Sequence, residues 1–328
     1  MATTSKKKFN SSALLRRIIM PALLVLMMIF FSIMAPGTFF TWYNIKNMLG
    51  QSAYIIVAAV GLSFVMIGGG IDLSIGYQMS LVGVIAGILM VKVGLHMLPT
   101  ILICLAIGVV LGLFNGIIVV KLKVFPLIIT LSTSMIFQGI SYIISGSQTN
   151  IGFSESFLFI GQGFIWKIPF CIIICAVIVV IAIFILEKTY FGRHIYAIGG
   201  NEEAAKLSGI NSNRIRVILY GICGLCSAMA SILIISRAAA SASTIGPGTE
   251  FTALSGCILG GITLAGGEGK LSGMVVGALI ITVLGNGMQL MYLGTYPQYI
   301  AKGIVLIVAM GFDLYQKNRR AVKKMITT

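Results

Sequence analysis

The sequence predicts an all-α integral membrane protein with about ten transmembrane segments, an internal parallel repeat, and broken or half helices. Three observations predict it. Apolar residues make up 58% of the chain, mean hydropathy is +1.04, and only 9% of residues are charged, whereas a soluble domain carries about a quarter. Charge-poor runs near the ~20 residues that a helix needs to cross a bilayer recur along the whole length. The 23 lysines and arginines gather at alternate ends of those runs, as the positive-inside rule requires.

The runs follow in order. Residues 17–36 come after Lys6, Lys7 and Lys8, and no charge interrupts residues 18–45. That is too long for the apolar core of a cleaved leader, so the run reads as a retained first span. Residues 46–67 form the second run and end in the break GGGIDLSIG (68–76). The third (77–92), fourth (98–120) and ninth (271–294) carry glycines four residues apart: Gly83 and Gly87; Gly108, Gly112 and Gly116; Gly273 and Gly277. Such small-residue faces let helix backbones approach closely in lipid, within a chain or across two. Runs five (126–145), six (168–187), seven (214–236) and ten (297–315) are further charge-poor stretches. Residues 251–264 form the eighth, which rises only about 21 Å as a helix. It is expected to be a half-helix, or to borrow from residues 244–250.

Alternating these spans from an N-terminus on the cytoplasmic side puts eighteen basic residues inside and five outside (Lys46, Lys92, Lys167, Arg237 and Lys302). The chain therefore reads as one transmembrane domain over residues 1–328, with both termini cytoplasmic: a cytoplasmic N-terminus at 1–17, a polar cytoplasmic loop at 188–216 and a basic cytoplasmic tail at 316–328. The net charge of +15 is a topology signature. A nucleic-acid partner would need a basic soluble face, which the chain lacks, so its medium is the lipid bilayer.

Two motifs repeat in order. GGIDLSIG (69–76) is echoed by GGITLAGG (260–267), and PGTFFT (36–41) by PGTEFT (247–252). The first pair falls on the inner side and the second on the outer, which favours two parallel structural halves with broken helices, as in transporters. The inner-face motif residues are Asp72, Ser74, Gly76, Gly266, Gly267 and Glu268. Asp72 is read at the inner end of its span, capping a helix that begins near Leu73.

Chemistry is sparse. LAGGEGKLS (264–272) approaches a phosphate-binding loop but places Leu264 and Leu271 where glycine and Ser/Thr are required. No paired carboxylates, nucleophile–base set or metal cluster is visible, so the chain is not read as an enzyme, and no cofactor or metal site is expected. Cys223 and Cys226 are spaced C-x-x-C, yet all six cysteines lie in apolar runs and read as small buried hydrophobes. An ion-coupled secondary transporter of a small polar solute is the alternative. It would want ionisable groups in mid-span, and the acids here are read at span ends and in loops. Polar residues available to line a path are Asn47, Gln51, Asn115, Gln138, Asn286 and Gln289, each of which could instead make an interhelical hydrogen bond.

The loop 188–216 reads KTYFGRHIYAIGGNEEAAKLSGINSNRIR. EEAAKL has good helix formers and Gly209 is a plausible stop with positive φ, so a short amphipathic helix on the inner face is expected. Glu203-Ala204-Ala205, three residues, then Gly209 resembles the EAA-x3-G loop of ABC importer permeases. With GGGIDLSIG and GGITLAGGEGK, the run GRHIYAIGGNEEAAKLSGIN is similar to the bacterial ribose and simple-sugar permeases, relatives of the branched-chain amino acid permeases. The resemblance covers nearly the whole chain. It implies the membrane subunit of an ATP-driven importer in the bacterial plasma membrane, paired with a second copy or a close paralogue. Two ABC ATPase domains would bind Mg-ATP, and an extracytoplasmic binding protein would deliver a ribose-like sugar. It also implies that Gly192, Arg193, Asn201, Glu202, Glu203, Ala204, Ala205 and Gly209 form the loop that couples to the ATPase, with a bulky residue at Ala205 expected to prevent seating.

Overall fold

The computed structural model describes the backbone of residues 11–327, and side chains at residues 19–311 and at Leu314. The basic residues at 6–8 lie outside the described residues, as do the side chains of the basic tail. All-α architecture follows from the composition: in lipid each backbone N–H must be satisfied within its own segment. The helices are α1 Ser11–Met34, α2 Trp42–Ile67, α3 Ile75–Gly87, α4 Met97–Leu122, α5 Pro126–Ser145, α6 Glu155–Gln162, α7 Phe170–Lys188, α8 Tyr190–Gly200, α9 Glu202–Leu207, α10 Ser212–Ala238, α11 Thr249–Leu259, α12 Leu271–Leu290 and α13 Thr295–Thr327. A π-helical stretch, Ile88–Lys92, extends α3. Seven of these elements are long and apolar enough to cross a membrane: α2, α3 with its extension, α4, α5, α7, α10 and α12. The first, eighth and tenth runs of the sequence are carried by α1, α11 and α13.

Helices α2 and α10 form the centre. In α2 the most apolar window is 89% buried, against 22% in α7, which turns its side chains outward with α4 and α5. Packing follows the glycine spacing. A Cβ at Gly108 or Gly112 would overlap the α10 backbone at Gly224 or Tyr220, and one at Gly116 would lie 2.9 Å from Val217 Cα. Gly273 and Gly277 meet Gly260, just past the end of α11, and Gly256 within it in the same way. These small-residue faces therefore pack within the chain.

The eighth run is where the structure refines the reading. α11 has only 11 residues, about 16 Å of rise. The remainder of the traverse is non-helical. Ala240–Ser241 (β2) pair with Asn150–Ile151 (β1) at the end of the bundle away from α8 and α9, and residues 242–248 descend from there to the start of α11. Gly246 (φ 119°) and Gly248 (φ 91°), flanking Pro247, forbid a helix there. Non-helical backbone at this depth must be satisfied by protein. The Ser243 carbonyl accepts from Ser80 Oγ (2.8 Å) and from Gln138 Nε2 (2.9 Å), and Ser243 Oγ and Ser145 Oγ are 2.8 Å apart. Residues 240–259 thus run from one end of the bundle to the other, and the alternation of loop sides survives the short helix.

The repeat is real in the backbone, with a register one residue from the sequence alignment. After α2, the N–H groups of Gly68, Gly69 and Gly70 bond the carbonyls of Phe64, Met66 and Val65. After α11, those of Gly260, Gly261 and Ile262 bond Gly256, Ile258 and Cys257. Gly69 and Gly261 occupy the same left-handed conformation, φ 81° and 87°. Gly69 therefore corresponds to Gly261, not to Gly260. Matching letters had placed the echo one position early, because each motif opens on a run of glycines.

Candidate functional site

Three segments distant in sequence meet at the end of the bundle that carries α8 and α9. Thr189 caps α8 by accepting from the Gly192 N–H, and Asn201 caps α9 by accepting from the Ala204 N–H at 3.0 Å. The loop therefore holds two short helices where one was expected. Gly192, Ile195 and Ile198 anchor α8 inward, while Arg193 faces out and stacks on the Tyr190 ring at 4.1 Å.

The last residues of α8, Gly199 and Gly200, lie between both repeat motifs. Gly267 N–H donates to the Ile67 carbonyl at 2.8 Å, and Tyr196 Oη donates to the Gly269 carbonyl at 2.8 Å. A Cβ at Gly199 would overlap the Ile67 carbonyl oxygen and the Gly267 nitrogen. One at Gly266 would lie 2.7 Å from Gly69 Cα, and one at Gly267 would lie 2.6 Å from Gly200 Cα. Backbone touches backbone across all three segments, and only glycine permits this. Gly200 is the exception, since a Cβ there meets nothing within 4 Å. Glu268 is exposed in the same loop, and its carbonyl accepts from the Thr263 N–H.

Helix α9 is tied to α10 through Glu202. Arg216 grips its carboxylate with two hydrogen bonds of 3.1 and 2.5 Å, and Lys206 pairs with it at 2.8 Å. Partial burial pushes the Glu202 pKa up, but the Lys206 hydrogen bond and the Arg216 charge outweigh burial, and the group ends below the usual carboxylate range. A carboxyl lowered by folding contributes stability above its unfolded pKa, and that contribution is lost as pH falls through the lower folded value. The protection factors of the α9 amides, in which the intrinsic slowing of amide exchange in acid is divided out, should thus fall on acidification in the wild type. Glu202→Gln should exchange about three- to five-fold faster at neutral pH and show little of that acid response. Equal exchange in both proteins at neutral pH would mean the pair holds nothing.

Gly209 closes α9 at φ 81°, with the Ile210 N–H bonded to the Ala205 carbonyl at 3.0 Å, a Schellman end. A Cβ at Gly209 has open space, so Gly209→Val is charged only the backbone strain of about 1–2 kcal/mol. The two alanines are not equivalent. Ala204 is exposed, but Ala205 is 4% exposed and belongs to the chain's own core. A bulky residue at 205 therefore tests folding, and the flat outward surface is Ala204 with Glu203. Beside them Leu207 is 91% exposed, an apolar side chain in a polar loop that the sequence reading passed over.

The IDLSIG part of the first motif lies elsewhere. Residues 68–74 run back into the bundle before α3 begins at Ile75. Asp72 is fully buried, beside Asn115, which sits about 10 Å along α4 from its end. The expectation that Asp72 sits at the inner rim is corrected, because the helix starts later and deeper than Leu73. Asp72 Oδ1 accepts from Ser74 N–H (2.9 Å) and Ser74 Oγ (2.6 Å), and Ser74 Oγ accepts from Gln78 Nε2 and Asn115 Nδ2, each at 2.7 Å. This network offsets the cost of burying a carboxylate without a cation. Gly76 packs against the carboxylate of Glu250, a second buried acid (1% exposed) that closes on its own Gly248 N–H at 3.0 Å. The reading of acids only at span ends missed Glu250, because glycines and Pro247 hid the start of α11.

The other polar candidates are scattered. Asn286 and Asn44 exchange two amide hydrogen bonds of 2.9 Å across α12 and α2. Arg237 donates to Asn47, Gln138 holds the Ser243 carbonyl, Gln51 is half-buried in α2, and Gln289 is exposed. They do not converge on one site. All six cysteines are free and buried, and no metal-ligating cluster occurs among the described residues.

A bundle of apolar helices with a repeated helix break, and a helix pair seated on both breaks, is the architecture of a multi-pass membrane protein. Residues 44–310 match the family described as the permease component of the branched-chain amino acid transport system, and the chain belongs to that family. It is 39% identical to the ribose import permease protein RbsC of Haemophilus influenzae and 37% identical to RbsC of Escherichia coli K12. Each alignment covers 86% of this chain and 88% of the relative. It is 32% identical to the xylose transport system permease protein XylH of Haemophilus influenzae, over 88% of this chain and 94% of that one. No solved structure matches the chain.

Proposed function

We propose that this chain is the membrane-spanning subunit of an ATP-driven importer that translocates a ribose-like monosaccharide. The observation that carries the proposal is similarity, over 86–88% of the chain, to permeases named for ribose and xylose. In this reading an extracytoplasmic binding protein delivers the sugar at the end of the bundle bearing β1 and β2. Two ATPase domains, which hold the Mg-ATP, dock on α8–α9 of two permease copies. The exposed face of Glu203, Ala204 and Leu207 seats in the ATPase. The junction at Gly69, Gly199, Gly266 and Gly267 passes the resulting movement to both repeats at once. Asp72 and Glu250 set the helix breaks and do not contact the solute, since both are buried and hydrogen-bonded.

Deleting the gene from its host should abolish high-affinity uptake of labelled pentose, and restoring it should recover uptake that survives an ionophore collapsing ion gradients. Ionophore-sensitive uptake would instead favour an ion-coupled carrier. Both termini are cytoplasmic in this reading. A reporter active only in the cytoplasm should therefore work when fused after Thr328 and fail within 147–163; the reverse pattern would break the proposed sidedness. The detergent-purified transporter should have the mass of two permease chains per ATPase pair, and a stable complex with one would contradict the pairing.

A further inference from the structure

Beside the α8–α9 pair a cleft of about 550 Å³ opens between the ends of α2, α4, α5 and α10, within the ~300–1,000 Å³ of small-ligand sites. Its lining divides in two. Lys123, Lys206 and Arg216 supply positive charge, and Val119, Val120 and Phe125 supply an apolar wall. Glu202 also lines it, but both of its oxygens are taken by Arg216 and Lys206. Lys123 has no carboxylate paired with it among the described residues, so the cleft keeps a surplus of positive charge. The wall continues outward into Leu122 (61% exposed) and Phe125 (61% exposed), side chains that face lipid in a membrane-spanning bundle.

A naked phosphate would be satisfied by the cations but not by the apolar wall. A neutral lipid would fit the wall but gain little from the cations. We propose that this cleft binds the headgroup of an anionic phospholipid, with its phosphate held by Lys123, Arg216 and Lys206 and the start of an acyl chain lying on Val119, Val120 and Phe125. Basic pockets between transmembrane helices on the cytoplasmic side are suited to such headgroups. The occupant would touch the two cations that hold Glu202, and so bear on the tie between α9 and α10. The site does not depend on which solute the chain carries.

The test titrates the purified permease, in phosphatidylcholine nanodiscs, with short-chain phosphatidylglycerol, with short-chain phosphatidylcholine or with inorganic phosphate, while following thermal unfolding. Phosphatidylglycerol should raise the melting temperature saturably, and the other two should not. Lys123→Glu should leave the melting temperature in phosphatidylcholine unchanged but weaken phosphatidylglycerol binding about 30-fold. Native mass spectrometry should show one fewer retained anionic lipid per chain in that variant. An equal shift with phosphatidylcholine, a shift with inorganic phosphate of the same size, or undiminished lipid binding in Lys123→Glu would each overturn the proposal.

Discussion

Replacing Gly199 by alanine should abolish sugar uptake, while the same change one residue later should leave uptake within about two-fold of wild type. The contrast follows from geometry. A methyl group at 199 would occupy the space of the Ile67 carbonyl oxygen and the Gly267 nitrogen, whereas one at 200 meets open space. Overpacking against side chains costs about 1–3 kcal/mol because they can move aside. Backbone on both sides cannot, so the junction must open and the Gly267–Ile67 hydrogen bond must break. Both variants keep their apolar spans and should insert at similar levels by immunoblot. In Gly199→Ala the ATPase should still co-purify, but its hydrolysis should no longer rise with sugar-loaded binding protein. A Gly199→Ala transporter with normal uptake would show that the junction is mere packing.

The second large effect is expected at Leu207. Burying a leucine contributes about 1.5–3 kcal/mol, and Leu207 stands 91% exposed beside Glu203 and Ala204, on the face proposed to seat in the ATPase. Leu207→Glu would place a charge in that contact and should lower ATPase co-purification at least ten-fold while leaving thermal stability unchanged, because the side chain has almost no contacts within the chain. Ala204→Trp should act in the same direction through bulk. Gly209→Val, which costs only local strain, should reduce coupling less than either. Undiminished co-purification of the ATPase with both Leu207→Glu and Ala204→Trp would remove α9 from the docking surface.

Much of this was legible in the sequence because lipid makes local composition decisive. The positions of the apolar runs, the polar loop, the stop at Gly209 and the existence of a repeat all follow from which residues hydrocarbon tolerates. What was not legible depends on three-dimensional closure. The depth of Asp72 turns on where α3 starts, and residues 68–74 carry no periodicity to mark that point. The inward face of Ala205 cannot be told from the outward face of Ala204 in a six-residue helix without knowing what α9 packs on. Gly199 and Gly200 look interchangeable as letters, yet one is clamped and the other free. One signal was only partly used: the glycine runs at 68–70, 260–261 and 266–267 that mark the repeat have a fourth counterpart at 199–200, and all lie at one end of the bundle.

The central claim is that ATP hydrolysis, delivered through α8–α9, drives sugar through this chain. The most direct test reconstitutes the permease with its ATPase and binding protein in sealed proteoliposomes lacking any ion gradient, and follows labelled ribose. The sugar should accumulate against its gradient only with ATP on the side of α8–α9, and not at all with a hydrolysis-deficient ATPase. Accumulation driven by an imposed proton or sodium gradient, with the ATPase left out, would contradict the account.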